Sequence, residues 1–221
     1  MSRVLDLAGT HLPATLARGE RFVRLVGDTP GILDLDDGRI QFGDKQWPIQ
    51  IVGTTDTEAH AWVWAWADGQ PFPEELTITA RALRDMGKRE LLPEFGEAIW
   101  HLDDIQPYVV AAIARGWGLA DVLYRVPIDH RAIYVLMSDV TLPAPKAHEL
   151  ANALTTAIAM VPIDHRRATV DLMADARIPT TGVDEVVLAT VPPSGPDGKP
   201  ESVTITFTPQ GKIADVGVVI V

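Results

Sequence analysis

Apolar and polar residues alternate through the early part of the chain and again near its end, while the middle carries apolar residues three and four apart. The first pattern marks strands and the second marks helices. Extended segments are predicted at 22–26, 32–35, 39–42, 48–53 and 60–67. Asp36-Asp37-Gly38 is a hairpin signal between two of them, because Gly takes the positive φ of a tight turn. Gly53-Thr54-Thr55-Asp56 reads as the next turn. Leu5, Ala8, Leu12 and Leu16 fit one helical face, but Pro13 interrupts it, so a short helix is expected there.

Three helices are predicted more sharply. In the first, Pro73 pre-sets φ, Glu74 and Glu75 complement the positive end of the dipole, and Leu76, Ala80, Leu83 and Met86 share a face before Gly87 ends it. In the second, Asp103 or Asp104 caps, Pro107 sits in the first turn, and Val109, Val110, Ile113, Ala114 and Trp117 form the buried stripe. The third opens at Pro145, carries Ala147, Leu150, Ala151, Leu154 and Ala157, and stops before Pro162. Strands return at 183–191, 202–208 and 213–221, with a Pro- and Gly-rich segment at 192–200 and a turn at Pro209-Gln210-Gly211-Lys212. Segregated strands and helices predict an α+β fold: an antiparallel sheet of several meander strands with about three packed helices. Residues 1–140 are expected to form a tryptophan-strand domain. Residues 141–221 are expected to add a helix and antiparallel strands, the two packing as one unit.

The chain also repeats itself. Val126-Pro127-Ile128-Asp129-His130-Arg131 recurs letter for letter as Val161-Pro162-Ile163-Asp164-His165-Arg166, and weaker likeness continues through Leu136-Met137 and Leu172-Met173. This predicts a duplicated helix–turn–strand unit whose Asp shapes the turn and whose His and Arg are exposed. Asp129, His130, Asp164 and His165 are candidate binding residues on the same grounds. Neighbouring residues of an extended chain point to opposite sides, so each Asp-His pair is poorly placed to grip one metal ion, and no metal site or cofactor is assigned.

The most unusual stretch is His60-Ala61-Trp62-Val63-Trp64-Ala65-Trp66-Ala67-Asp68. Alternation puts Trp62, Trp64 and Trp66 on one face and small residues on the other, against which a helix could pack. Three indoles, at about 150–250 Å² each, are too much apolar surface to leave in water. They are read as a core layer, roofed by Trp100 or Trp117. The alternative is an aromatic groove with His60 beside it as a base.

Composition narrows the function. The chain has 221 residues, 30 acidic and 19 basic side chains and a formal charge of −11. Such a surface repels nucleic-acid backbones and anionic membranes. With no Cys, disulfides, thiolate metal sites and a cysteine nucleophile are excluded. No run is long and apolar enough for a bilayer, and Asp6 falls where a signal peptide needs its apolar stretch, so a soluble, cytoplasmic protein is expected. There is no glycine-rich phosphate loop, no G-x-S-x-G elbow and no H-E-x-x-H, and no catalytic residue is assigned. His101-Leu102-Asp103-Asp104 reads as helix entry rather than a ligand set.

Ile49-Gln50-Ile51-Val52-Gly53-Thr54, followed by Trp62-Val63-Trp64-Ala65-Trp66-Ala67-Asp68, resembles an uncharacterised bacterial domain-of-unknown-function family. Its marks are a Q-[IFV]-[IVL]-G-[ST] strand leading into T-W-x-W-A-W-A-N. Met86-Gly87, the helix from about Pro107, and Tyr124-Arg125-Val126-Pro127 leading to Tyr134-Val135-Leu136 fit the same pattern. The likeness covers roughly residues 22–140, with Ala61 in place of the usual Thr and Asp68 in place of the usual Asn. It implies no activity and no site residues.

The expected function is therefore a non-catalytic protein-interaction module for a basic partner, as an immunity or antitoxin-like protein would be. The competing expectation is a small-molecule binder or hydrolase using the aromatic face with His60 and the Asp-His pairs. The β-prone C-terminal strand would suit homodimerisation by strand addition.

Overall fold

The computed structural model describes residues 3–103, 106–183, 185–193 and 199–220; Asp104 and the middle of the 192–200 segment lie outside them. In chain order the elements begin with α1 (Arg3–Val26), β1 (Ile32–Asp34), β2 (Arg39–Phe42), β3 (Lys45–Asp56) and β4 (Ala61–Trp64). A 3-10 turn at Glu74–Leu76 leads to α2 (Ile78–Arg89), α3 (Pro93–Gly96), β5 (Ile99–His101), α4 (Pro107–Trp117), β6 (Val122–Ile128) and β7 (Arg131–Met137). The rest is α5 (Ala147–Met160), α6 (His165–Asp175), β8 (Thr180–Val183), β9 (Val186–Val191), β10 (Glu201–Phe207) and β11 (Ile213–Ile220). The fold is α+β with antiparallel sheets, and the chain divides into a central unit, Val26–Thr141, and a terminal unit made of Met1–Leu25 with Leu142–Val221.

The central unit is a seven-stranded antiparallel sheet in the order β1-β2-β3-β4-β5, with β7 pairing both β3 and β6. The first hairpin turns at Gly38 (φ 63°), and Asp34 Oδ1 accepts from the backbone N–H groups of Asp36 and Asp37. The 53–56 stretch, expected as a turn, is instead the end of β3, and the chain reverses at residues 57–60. Gly53 is needed for space rather than for a turn: a Cβ there would lie 2.5 Å from the Trp62 ring and 2.7 Å from the Val63 carbonyl oxygen. Gln50 links this strand to α2, accepting from Thr79 N–H at 3.1 Å and donating to the Glu75 carbonyl at 2.8 Å. These bonds occupy polar groups at the start of the helix that would otherwise lack partners.

Trp62 and Trp64 are wholly buried, as a core layer requires. Trp62 meets Trp64 edge to face at 5.5 Å and Tyr134 at 5.1 Å, while Trp64 lies 5.4 Å from Phe95, which in turn lies 5.1 Å from Trp117. Burying two indoles removes about 400 Å² from water, on the order of 10 kcal/mol before conformational entropy is counted. Only two of the three indoles share that face, because β4 ends at Trp64; Trp66 is half-buried, with the Arg84 guanidinium 5.3 Å over its ring. Gly87 does not stop α2, which continues to Arg89; a Cβ at Gly87 would lie 2.3 Å from Phe95 Cβ, so glycine lets α3 approach. Asp103 does not cap α4 but accepts a bond from His60.

In the terminal unit, α1 runs for 24 residues through Pro13 and through the 22–26 segment expected to be extended. Tertiary anchors outweigh the proline penalty. Arg18 pairs with Asp175 at 2.8 Å, Arg21 donates to the Pro143 carbonyl, and Arg24 donates to both oxygens of buried Glu149 and to the Ala144 carbonyl. Glu149 also accepts from Lys146 N–H at the start of α5. The predicted strand at 183–191 is found as β9, and β8, which the sequence reading does not predict, pairs with it to complete a four-stranded meander in the order β11-β10-β9-β8 with β11 at one edge. Ala189, Val191, Val203, Ile205 and Phe207 are its buried side chains, and α5 packs on β10 and β11.

The six-letter repeat folds two ways. Its first copy ends β6, turns at Asp129 (φ 48°) and starts β7; its second leads from α5 into α6. The expected duplicated helix–turn–strand unit is thus not formed. After the first copy come Ala132, Ile133, Tyr134 and Val135, which suit a strand. After the second, Ala168, Thr169, Leu172 and Met173 are buried at helical spacing, and Asp164 caps by accepting from Arg167 N–H at 2.9 Å.

Candidate functional site

The strand register of the central unit sorts its side chains onto two faces. Val63, Thr54 and Ile133 stand side by side across β4, β3 and β7, and so do Ala61, Asp56 and Arg131. The interleaved positions Trp64, Gly53 and Tyr134, with Trp62 and Thr55, belong to the aromatic core on the other face. Among the described residues, no helix covers the small-residue face, contrary to the sequence expectation. It forms the floor of a cavity of about 560 Å³. The 69–72 segment, with Gln70 and Phe72, adds to the lining, as do Leu35, Ala59 and Ile128. Pockets of roughly 300–1,000 Å³ are the usual size for burying a ligand or an anchoring group.

The charged groups of the cavity, Asp56 and Arg131, stand together at one end. Arg131 Nε donates to Asp56 Oδ2 at 2.9 Å, and Asp56 Oδ1 accepts from the backbone N–H groups of Glu58 and Ala59. The Ala59 N–H above all, then Glu58 N–H and the Arg131 charge, hold the Asp56 carboxyl below the usual carboxylate range. Asp56 is thereby kept ionised and occupied, a weak base for proton abstraction.

The predicted residues His60, Asp129 and His130 gather near this end. The β3–β4 and β6–β7 turns are tied together where Thr57 donates through both its N–H and its hydroxyl to the His130 carbonyl, at 2.9 and 2.7 Å. His60 (φ 52°) donates from Nε2 to Asp103 Oδ1 at 2.9 Å, and that bond holds the Asp103 carboxyl below its ordinary value. His130 Nε2 lies 3.8 Å from Glu58 Oε2. Trp62 and Trp64 belong to the sealed face and offer a ligand no surface.

Asp164 and His165 lie in the terminal unit, at an open cleft of about 710 Å³ between the start of α6 and the 209–212 turn. Both are already engaged: Asp164 caps α6, and His165 Nδ1 accepts from Ile213 N–H at 3.0 Å. Burial, helped by Lys212, lowers the His165 pKa. Among the described residues, no three His, Cys, Asp or Glu side chains group to hold a metal ion, and no helix is long and apolar enough to cross a membrane.

A model of one family, a family of unknown function (DUF6882), matches residues 5–140, more than half of the chain. The chain belongs to DUF6882. The DUF6882 match begins at residue 5 and so takes in most of α1 with the whole central sheet. No curated protein and no solved structure matches the chain significantly. The cavity therefore stands as the candidate site on its geometry. Sequence reasoning missed Leu35, Phe72, Ile128 and Ile133, which come from separated segments; only the alternation of β4 marked its small-residue face.

Proposed function

We propose that the central unit is a non-catalytic protein-interaction module for a cationic partner. One observation carries this reading: the negative charge is not shared between the units. Residues 26–141 hold 19 acidic and 9 basic side chains, while the rest of the chain holds 11 and 10. A field concentrated on one unit steers a basic protein toward that unit and discriminates against acidic ones. The ionic arrangement of Asp56 supports binding over proton chemistry.

Selection of random peptides displayed on phage against the full chain tests the reading. Enriched sequences are expected to be rich in Lys and Arg, with association slowing steeply as salt is raised. Neutral or acidic winners, or binding indifferent to salt, would remove the proposal.

A further inference from the structure

We infer that the cavity on the small-residue face of the central sheet is an anchor pocket for a bulky apolar side chain carried on a basic segment of another protein. This rests on the interaction-module reading and adds to it the place of contact and the chemistry of the contacting residue.

An antiparallel sheet can leave one face to water, and such a face is then normally polar. Here Val63 and Ile133 stand on either side of Thr54, the charged pair Asp56 and Arg131 is confined to the next row beside Ala61, and Phe72 and Leu35 turn the face into a hollow. The strands below are backed by the aromatic core, so the floor is firm and the hollow does not need to be made on binding. Its surroundings are mainly acidic, with Arg39 opposite Asp34 in the β1–β2 pair. Asp34 and Asp36 flank Leu35 along the chain, Glu58 precedes Ala59, Asp68 precedes Gly69, and Asp129 follows Ile128; all five acids are exposed. The only cation among the described lining residues is Arg131, and its Nε is already given to Asp56.

An apolar hollow inside an acidic rim complements a Leu, Ile or Phe side chain with Lys or Arg on either side. The side chain gains by leaving water, the flanking cations by meeting the rim. Anionic ligands meet the wrong field. A neutral molecule would fill the hollow without using the rim, which separates the two occupants experimentally.

Calorimetry on the full chain with three synthetic ten-residue peptides tests the inference: Lys/Arg-flanked Leu, the same peptide with Ala at the centre, and the Leu peptide with Glu flanks. The Leu-centred basic peptide is expected to bind at least about tenfold more tightly than its Ala counterpart, and the Glu-flanked one not to bind. Val63→Phe, which fills the hollow, should erase the Leu-over-Ala preference while leaving the salt dependence. Ala59→Trp at the exposed mouth serves the same purpose if Val63→Phe loses its native tryptophan emission. Glu58→Lys with Asp68→Lys should weaken every basic peptide. Equal, salt-sensitive binding of the Leu and Ala peptides would overturn the anchor pocket and leave the module standing. Failure of every basic peptide would overturn both. Uptake of the neutral dye Nile red, blocked by Val63→Phe, with no peptide bound, would assign the hollow to small molecules instead.

Discussion

All six tryptophans and all three tyrosines lie in residues 26–141, and the terminal unit has none of either. The two units obey the same building rule, an antiparallel sheet with helices packed against it, yet hold together differently. The terminal unit is nearly balanced in charge and uses Arg18, Arg21 and Arg24 of α1 as staples onto Asp175, the Pro143 carbonyl and Glu149. The central unit, crowded with carboxylates that repel one another, relies on the run Tyr134–Trp62–Trp64–Phe95–Trp117. Self-repulsion from a one-sided charge costs stability, and large apolar burial is the adhesive it does not weaken. A surface can be given over to negative charge only where the interior does not depend on ion pairs.

The contrast can be broken most forcefully at Trp62. Trp62→Ala is expected to cost about 3–5 kcal/mol in urea unfolding followed by tryptophan emission, the range for emptying a large aromatic site. A loss under about 1 kcal/mol would mean that the aromatic run does not hold the central unit. Next comes Glu149→Ala, which leaves Arg24 with only the Ala144 carbonyl and removes an acceptor at the start of α5. About 2 kcal/mol should be lost, as for removing hydrogen bonds to a charged group whose partner stays part-exposed. Because every indole is in the central unit, this loss should appear in far-UV ellipticity before emission changes; coincident curves would erase the division into two modes of cohesion. Smaller again, Asp164→Ala should lower terminal-unit stability by about 1 kcal/mol through loss of the α6 cap, whereas Asp129→Ala, at the other copy of the repeat, touches no helix end and should leave helical content alone.

The smallest effect is a pH response. The His165 pKa is lowered in the folded state, mainly by burial, so at mildly acidic pH the unfolded chain binds more protons than the folded one. Stability of the terminal unit should therefore fall as pH drops below about 6.5 and level off once the folded state also protonates. His165→Asn should flatten that slope in melts between pH 7 and pH 5; an unchanged slope would clear His165 of responsibility.

The α+β class and the cores of α2, α4 and α5 were readable because each rests on local periodicity. Pro13 was a true local signal outweighed from a distance: nothing near it in sequence announces Asp175, Pro143 or Glu149. The two Val-Pro-Ile-Asp-His-Arg copies mark the opposite limit. Identical letters there take their structure from the residues C-terminal to them, Ile133-Tyr134-Val135 in one case and Ala168-Thr169 with Leu172-Met173 in the other. Trp62 and Trp64 were legible as core from their bulk alone. The cavity was not, because Leu35, Phe72 and Ile128 become neighbours only once β3, β4 and β7 are in register.

The close fit of the Trp62 ring over Gly53 has an optical corollary. Thr54 and Val63, next along the chain to that contact, look out into the hollow, so a single layer of backbone separates any guest from a fully enclosed indole whose Nε1 has no hydrogen-bond partner among the described residues. Occupancy on one side of the strand should thus register as a shift in fluorescence from the other, giving the protein an internal gauge that needs no dye.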